Sequence, residues 1–229
     1  MKKFVLLCIF FTFSCAHNVR SFQFTATEKN SQYQMENKKL LILFPIDKRK
    51  IGNDVRPPNI HAIPFFLWWT YEFERPDNLH YFGFRPKEDI AWALRDEYET
   101  YKFFSSITIG ETIDAKKYDY YINTEISEIK NTEVNTFYGI SFYGIYPMLL
   151  GLPVEFIKNS VKLKISIIEP KTNKIIYEYE PEKKYIIING LYYDKGRVKG
   201  YNVLFKEIIE EFTEKSLIEI KRHLTSTSR

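Results

Sequence analysis

Four histidines, two cysteines and several adjacent carboxylates are the side chains here that could do chemistry, and their spacing decides how far that goes. The histidines are His17, His61, His80 and His223, and no pair has the i, i+4 spacing that sets two imidazoles on one helical face as zinc ligands. Cysteine occurs only at Cys8 and Cys15, so thiolates cannot complete a tetrahedral site. The sequence has no Gly-x-Ser-x-Gly elbow, no Walker loop and no Gly-x-Gly-x-x-Gly turn. Gly139 and Gly144 flank a turn in Tyr138-Gly139-Ile140-Ser141-Phe142-Tyr143-Gly144, which lacks a basic residue to meet a phosphate. The paired carboxylates Glu88/Asp89, Asp96/Glu97 and Glu210/Glu211 fall in helical stretches among lysines and arginines, the pattern of a solvated face. Glycoside hydrolysis would need two carboxylates facing each other across a cleft, and nothing selects such a pair. The expectation is a non-enzymatic protein with no catalytic residue, no metal and no cofactor.

Cys15 stands apart. The chain starts Met1-Lys2-Lys3, runs uncharged from Phe4 to Phe13, and continues Ser14-Cys15-Ala16. A basic start, a short apolar run and a small residue before a cut describe a secretory signal peptide. The run falls short of the roughly 20 apolar residues of a membrane-spanning helix, and polar His17-Asn18-Val19-Arg20 does not extend it. Thr12-Phe13-Ser14-Cys15 resembles the relaxed lipobox of bacterial lipoproteins, with Ser14 as the small residue, Thr12 where Leu is preferred and Phe13 bulkier than usual. That looseness resembles spirochaete lipoproteins, and a chain rich in Lys, Ile, Phe, Tyr and Asn suits an AT-rich genome of that kind. The resemblance implies that residues 1–14 are removed and that Cys15 becomes an acylated N-terminus. It also implies a lipid anchor in a bacterial cell envelope, at the outer membrane. Losing Cys8 with the signal peptide leaves Cys15 as the single cysteine, and acylation accounts for an unpaired thiol in an exported chain. Each buried CH₂ of an acyl chain contributes roughly 0.8 kcal/mol, so two or more chains hold firmly.

Composition adds bounds rather than identity. Hydrophobic residues make up 45% and charged residues 27% of 229, ordinary for a globular chain of one domain. The net charge of +4 includes Lys2 and Lys3, and the remaining basic residues interleave with glutamates, which gives no case for nucleic acid. Aromatic content is high, at 17%. Residues 15–37 are polar and read as the lipid anchor and a flexible tether.

The elements of a single domain over 38–223 follow. Leu40-Leu41-Ile42-Leu43-Phe44, stopped by Pro45, suits a strand buried on both faces. Residues 47–86 hold Pro57, Pro58, Pro64, Pro76 and Pro86 and read as a long irregular stretch. Pro86 opens a helix over 86–103, with Glu88 and Asp89 in its first turn and Ile90, Leu94, Tyr98 and Tyr101 on one face. Tyr120, Ile122, Thr124 and Ile126 alternate as a strand, as do Val161, Leu163, Ile165 and Ile167. A turn at 169–174 leads into Ile175, Tyr177 and Tyr179, a hairpin, and a further short strand lies at 185–188. The last helix spans 202–223, followed by a disordered tail, 224–229. The fold class expected is α/β (α+β): a mixed sheet of four to five strands with two main helices on one face, in the order β-α-β-β-β-α. This order resembles the N-terminal domain of TolB, the CsgG-like curli secretion lipoproteins and auxiliary lipoproteins of ABC-type transport. Tyr138-Gly139 through Tyr143-Gly144, then Leu150-Gly151-Leu152-Pro153, looks like a hairpin of uncharacterised bacterial lipoproteins. That group shares no catalytic residues.

Two aromatic-rich loops, 63–73 and 137–157, remain as functional candidates. Three readings stand: they fold back over the sheet, they form an exposed contact patch, or they line a ligand groove. The candidate interaction residues are Trp68, Trp69, Tyr71, Phe73, Tyr143, Tyr146, Leu149 and Leu150, side chains favoured at interfaces and at headgroup level. The function expected is a membrane-anchored interaction or assembly component, with a homo-oligomer or an envelope protein as partner. The alternative is a periplasmic binding module for an apolar or lipid ligand.

Overall fold

Two long strands, β6 (Tyr120–Phe137) and β7 (Pro153–Glu169), form an antiparallel hairpin on which the rest of the fold is hung. The computed structural model describes residues 22–26, 37–49, 59–63, 66–73, 84–137, 149–190, 192, 195–196 and 198–227. Cys15, Tyr143 and Tyr146 lie outside them, as do residues 1–14.

One edge of β6 carries three strands in succession. β1 (Lys39–Leu43) pairs parallel at 120–122, β2 (Ile46–Asp47) parallel at 125–126, and β4 (Phe66–Phe73) antiparallel along 131–137. Beyond them lie β3 (Asn59–Ile63), antiparallel to β4, and β5 (Ser106–Gly110), parallel to β1. The outer edge of β7 carries β8 (Lys174–Tyr179) along 165–169 and β9 (Glu182–Gly190) along 153–162. The described strands make one mixed sheet of nine. The α+β class with a mixed sheet and two helices is as expected, but the strand number is not. The stretch 47–86 contains β3, β4 and the end of β2, and 63–73 is mostly the paired strand β4 rather than a loop.

Helix α1 (Pro86–Thr100) starts where Pro86 has no amide hydrogen to lose, and the Arg85 N–H donates to Asp89 Oδ2 at 2.6 Å. It stops after Thr100, short of the expected 103. Helix α2 (Lys199–Thr227) is longer than expected at both ends, and residues 224–227 belong to it rather than to a tail. The buried stripe of α1, Ile90, Ala91, Leu94 and Tyr98, meets that of α2, Leu204, Phe205, Ile208, Phe212 and Ile220, in one core with the sheet's inner face. Leu40, Leu41 and Ile42 are all buried, as a strand covered on both faces requires. The Tyr98 and Ser216 hydroxyls share a hydrogen bond between the helices, and burial pushes the Tyr98 phenol above its ordinary pKa.

The bulge at Ile126/Glu128 switches which residues of β6 face inward: Ile122, Thr124 and Ile126 before it, Ile129, Asn131 and Glu133 after it. The opposite face is solvated, as an antiparallel sheet allows. Lys164 there lies 3.0 Å from Glu178 and 2.8 Å from Glu180. Such ion pairs, half open to water, are screened and add little to stability.

The expected tether also differs. Phe22 and Phe24 pack against the core, Phe22 with its ring centroid 4.6 Å from Phe84 and 5.7 Å from Phe205. The Gln23 N–H donates to Asn202 Oδ1 at 3.3 Å in the first turns of α2. A Phe-x-Phe pair in a polar stretch buries apolar surface that a free tether would leave in water.

Candidate interaction surface

The β6–β7 hairpin changes character along its length. Below the bulge its inner face is Ile122, Ile126, Leu163, Ile165 and Ile167 under the helices. Above it, Asn131 pairs with Asn159 and Glu133 with Ile157, and Asn131, Glu133 and Asn159 are all buried. Asn131 Nδ2 donates to Glu133 Oε1 at 2.8 Å. Arg49, from just after β2, is buried as well and grips Asp47 through two bonds of 2.8 and 2.6 Å. Those bonds hold the Asp47 carboxyl below its ordinary pKa. Burial pushes the Tyr201 phenol up, with Arg49, Glu133 and Asn159 around it. Gly200 rests against Asn159 so closely that a Cβ would stand 2.1 Å from Oδ1. Arg49 Nη1 and Asn131 Oδ1 meet no hydrogen-bond partner among the described residues, whereas the Asn159 side chain lies beside the Tyr201 hydroxyl. A buried polar group without a partner costs about 1–3 kcal/mol. The row offers donors and acceptors but neither imidazole nor thiol. Among the described residues no group of His, Cys, Asp and Glu could hold a metal ion.

The expected aromatic residues divide between the two stretches. Trp68, Trp69, Tyr71 and Phe73 lie in β4 at the register positions of Thr136, Asn135, Glu133 and Asn131, so they form a paired strand between β3 and β6. Tyr71 and Phe73 are therefore the β4 register partners of the polar row. Leu149 and Leu150 lie just before β7 and are exposed, Leu150 at 82%. Leu152 is exposed beside them. Gly151, at φ +82°, takes a left-handed turn between the leucines that glycine adopts without steric cost. The Tyr192 hydroxyl donates to the Leu149 carbonyl at 2.9 Å and ties the start of β7 to the chain leaving β9. Asn189 Nδ2 donates to Glu155 Oε2 at 2.9 Å, and Lys195 N–H to Asn189 Oδ1 at 3.0 Å, fixing that exit.

Sequence reasoning missed the β9 edge. Its far side pairs with no strand among the described residues, and on the solvent face Ile186 is 62% exposed, with Ile188 exposed next to it. The run Ile186-Ile187-Ile188 hides this, because alternation cannot say which face of three consecutive isoleucines is buried until Ile187 packs against Ile157 across the ladder. A second missed element is the docked segment 22–26.

The lower end is held by charge. Glu211 of α2 accepts from Tyr179 Oη at 2.5 Å, Lys183 Nζ at 3.0 Å and Lys215 Nζ at 2.7 Å. Those donors, Lys215 first, lower its pKa from 4.5 to about 2. No helix among the described residues is long and apolar enough to cross a membrane.

No family model matches the sequence, and no curated protein does. Among solved structures, a Xanthomonas campestris protein described by the family model DUF330 aligns with 8% identity and a TM-score of 0.49, covering 90% of this chain and 98% of that one. A Helicobacter pylori protein, described as a homolog of a neuraminyllactose-binding hemagglutinin, aligns with 11% identity and a TM-score of 0.46, covering 91% and 98%. A PelC dodecamer from Paraburkholderia phytofirmans gives 8% identity and a TM-score of 0.40, covering 82% and 94%. These are similarities of overall shape, too slight to bear on what this chain does.

Proposed function

We propose that this chain is a non-enzymatic lipoprotein of a bacterial cell envelope, anchored in the outer membrane through Cys15, and that it assembles by pairing its β9 edge with a second copy. The observation that carries the assembly is the open edge of β9 with Ile186 and Ile188 exposed on it. An unpaired apolar edge is a template for strand addition, and monomeric proteins usually blunt it with charge, proline or a cover. Lys183 and Lys184 do this only at the first half of β9. An antiparallel register centred on Ile187 sets Ile186 against the partner's Ile188 twice, which is the self-complementarity a two-fold interface needs. The anchor rests on the lipobox at 12–15 and on Cys15 being the one cysteine left after processing.

Light scattering on the unlipidated domain beginning at Ala16 tests the assembly. A dimer is expected, reduced to monomer by Ile186→Lys and kept by Ile186→Val. A wild-type monomer that co-purifies lipid supports the alternative, a binding module for an apolar or lipid ligand. Palmitate labelling of cells tests the anchor separately, since Cys15→Ser must abolish the label and the membrane partition.

A further inference from the structure

Lysines that lie scattered along the sequence are gathered by the fold at one end of the sheet. Lys38 and Lys39 lead into β1 there, and the Lys38 carbonyl accepts from the Ser105 N–H at 2.8 Å, which brings in the α1–β5 connection with Lys102. The Asp119 N–H donates to the Lys39 carbonyl at 3.0 Å, which brings in Lys116 and Lys117 just before β6. The pairing of Tyr121 with Ile168 sets the β7–β8 turn, with Lys171 and Lys174, at the same end. The last turns of α2 complete it. Lys174 Nζ lies 3.4 Å from His223 Nδ1, and Lys221 Nζ stands 5.7 Å from the centre of the Phe103 ring.

Charge at this end is unbalanced. Lys39, Lys102, Lys116, Lys117, Lys171 and Lys174 are all exposed, and none of them pairs with a carboxylate among the described residues. The described acids here are Asp114, Asp119, Glu169 and Glu219. Asp119 is taken by Lys38 at 3.1 Å and Glu219 by Arg222 at 2.6 Å. Asp114 accepts from the Lys116 N–H at 2.9 Å, and Glu169 lies 3.8 Å from His223. With Lys38, Lys221 and Arg222 included, nine basic side chains stand against four acidic ones, a local net charge of +5 where the whole chain carries +4. The outer face of the sheet differs, because pairs such as Lys164 with Glu178 and Glu180 neutralise it.

We infer that this end of the domain binds a surface of anionic phospholipid headgroups. The six exposed lysines are spread over four parts of the chain rather than converging on a cleft, which fits a delocalised array of phosphates better than one small ligand. Lysine presents a hydrated point charge without the planar fork of arginine, so it attracts without demanding a fixed partner geometry. The choice of lipid among polyanions rests on the export proposed above, whereas the charge does not.

The chain from Ala16, which carries no lipid, is sedimented with phosphatidylcholine vesicles made with and without phosphatidylglycerol. Binding is expected only with phosphatidylglycerol, and it should weaken at least about tenfold between low salt and roughly 1 M, where screening acts within about 3 Å. Lys116→Glu with Lys117→Glu, or Lys171→Glu with Lys174→Glu, should each weaken it at least about tenfold, since one lysine at such a surface is worth roughly fivefold. Lys162→Glu with Lys206→Glu makes the same change in net charge away from this end and should stay within about twofold. No binding at low salt, or an equal loss from the Lys162 and Lys206 pair, overturns the contact. Tighter retention by single-stranded DNA than by the vesicles, lost with the same lysine pairs, would assign the end to nucleic acid and overturn the lipid. The palmitate label and the β9 dimer are read separately, so either can fail while this contact stands.

Discussion

The two halves of the β6–β7 hairpin belong to the same two strands, yet the register shifts between them and their neighbours differ, β1, β2 and β8 below the bulge and β4 and β9 above it. Below the bulge the inner face is branched aliphatic and lies under α1 and α2. Above it the inner face carries Asn131, Glu133 and Asn159, and Leu149, Leu150 and Leu152 are exposed just before β7. Core burial stabilises by about 1.5–3 kcal/mol for each large side chain, whereas buried amides and exposed leucines contribute nothing comparable. One half therefore packs an aliphatic face under the helices, and the other packs a polar one. Substitution separates them.

The largest effect belongs to the lower half. Phe212→Ala removes a ring stacked on Tyr177 at 5.8 Å and edge-on to Tyr98 at 6.5 Å, both by centroid. It should cost about 3–5 kcal/mol in urea unfolding. A loss below about 1 kcal/mol would break the comparison, since the supposed core would then be dispensable. Next comes Gly200→Ala at the junction, which drives a methyl into Asn159 and should cost about 1–3 kcal/mol. Adding Asn159→Ala should return much of it, because that change removes the clash; additive losses would show that the two residues do not meet.

A smaller effect is pH-dependent. The Glu211 carboxylate, held at a pKa of about 2 against an ordinary 4.5, contributes stability that is fully present above pH 4.5 and lost as pH falls through about 2. With its side chain about one-third exposed, solvent screening reduces this to about 1 kcal/mol. Glu211→Gln should accordingly flatten the acid limb of stability measured from about pH 6 to about pH 2, and an unchanged limb would remove Glu211 from the lower half's supports. The smallest effect is expected just before β7. Leu150→Asp should shift unfolding of the unlipidated domain by no more than about 0.5 kcal/mol, as a surface site does. A larger loss would mean that Leu150 belongs to the core.

The fold class was legible because the local signals agreed. The apolar stop at 43–45, the Pro86 helix start and the alternation on either side of the turn at 169–174 each point to one kind of element. The site was less legible. Leu149 and Leu150 were found as apolar residues in a stretch with few charges, and both are exposed. Prolines at 57, 58, 64 and 76 flank Trp68 and Trp69 and give the stretch the local signature of a loop. β-Propensity in 66–73 becomes a strand only when β3 and β6 offer ladders on both sides. The functions of Cys15, Tyr143 and Tyr146 rest on sequence alone.

What the sequence determined by itself is local: the helix starts, the alternating strands, and a Cys15 that follows a short apolar run, on which the proposed anchor rests. Such features need only neighbours within a few residues, where spacing and side-chain type act directly. The tertiary structure decided which face of Ile186-Ile187-Ile188 is solvent, that Asn131 and Asn159 share a buried row, and that Phe22 docks against the core. Each depends on partners far apart in the chain, and burial is a property of the assembled sheet and helices rather than of any one segment.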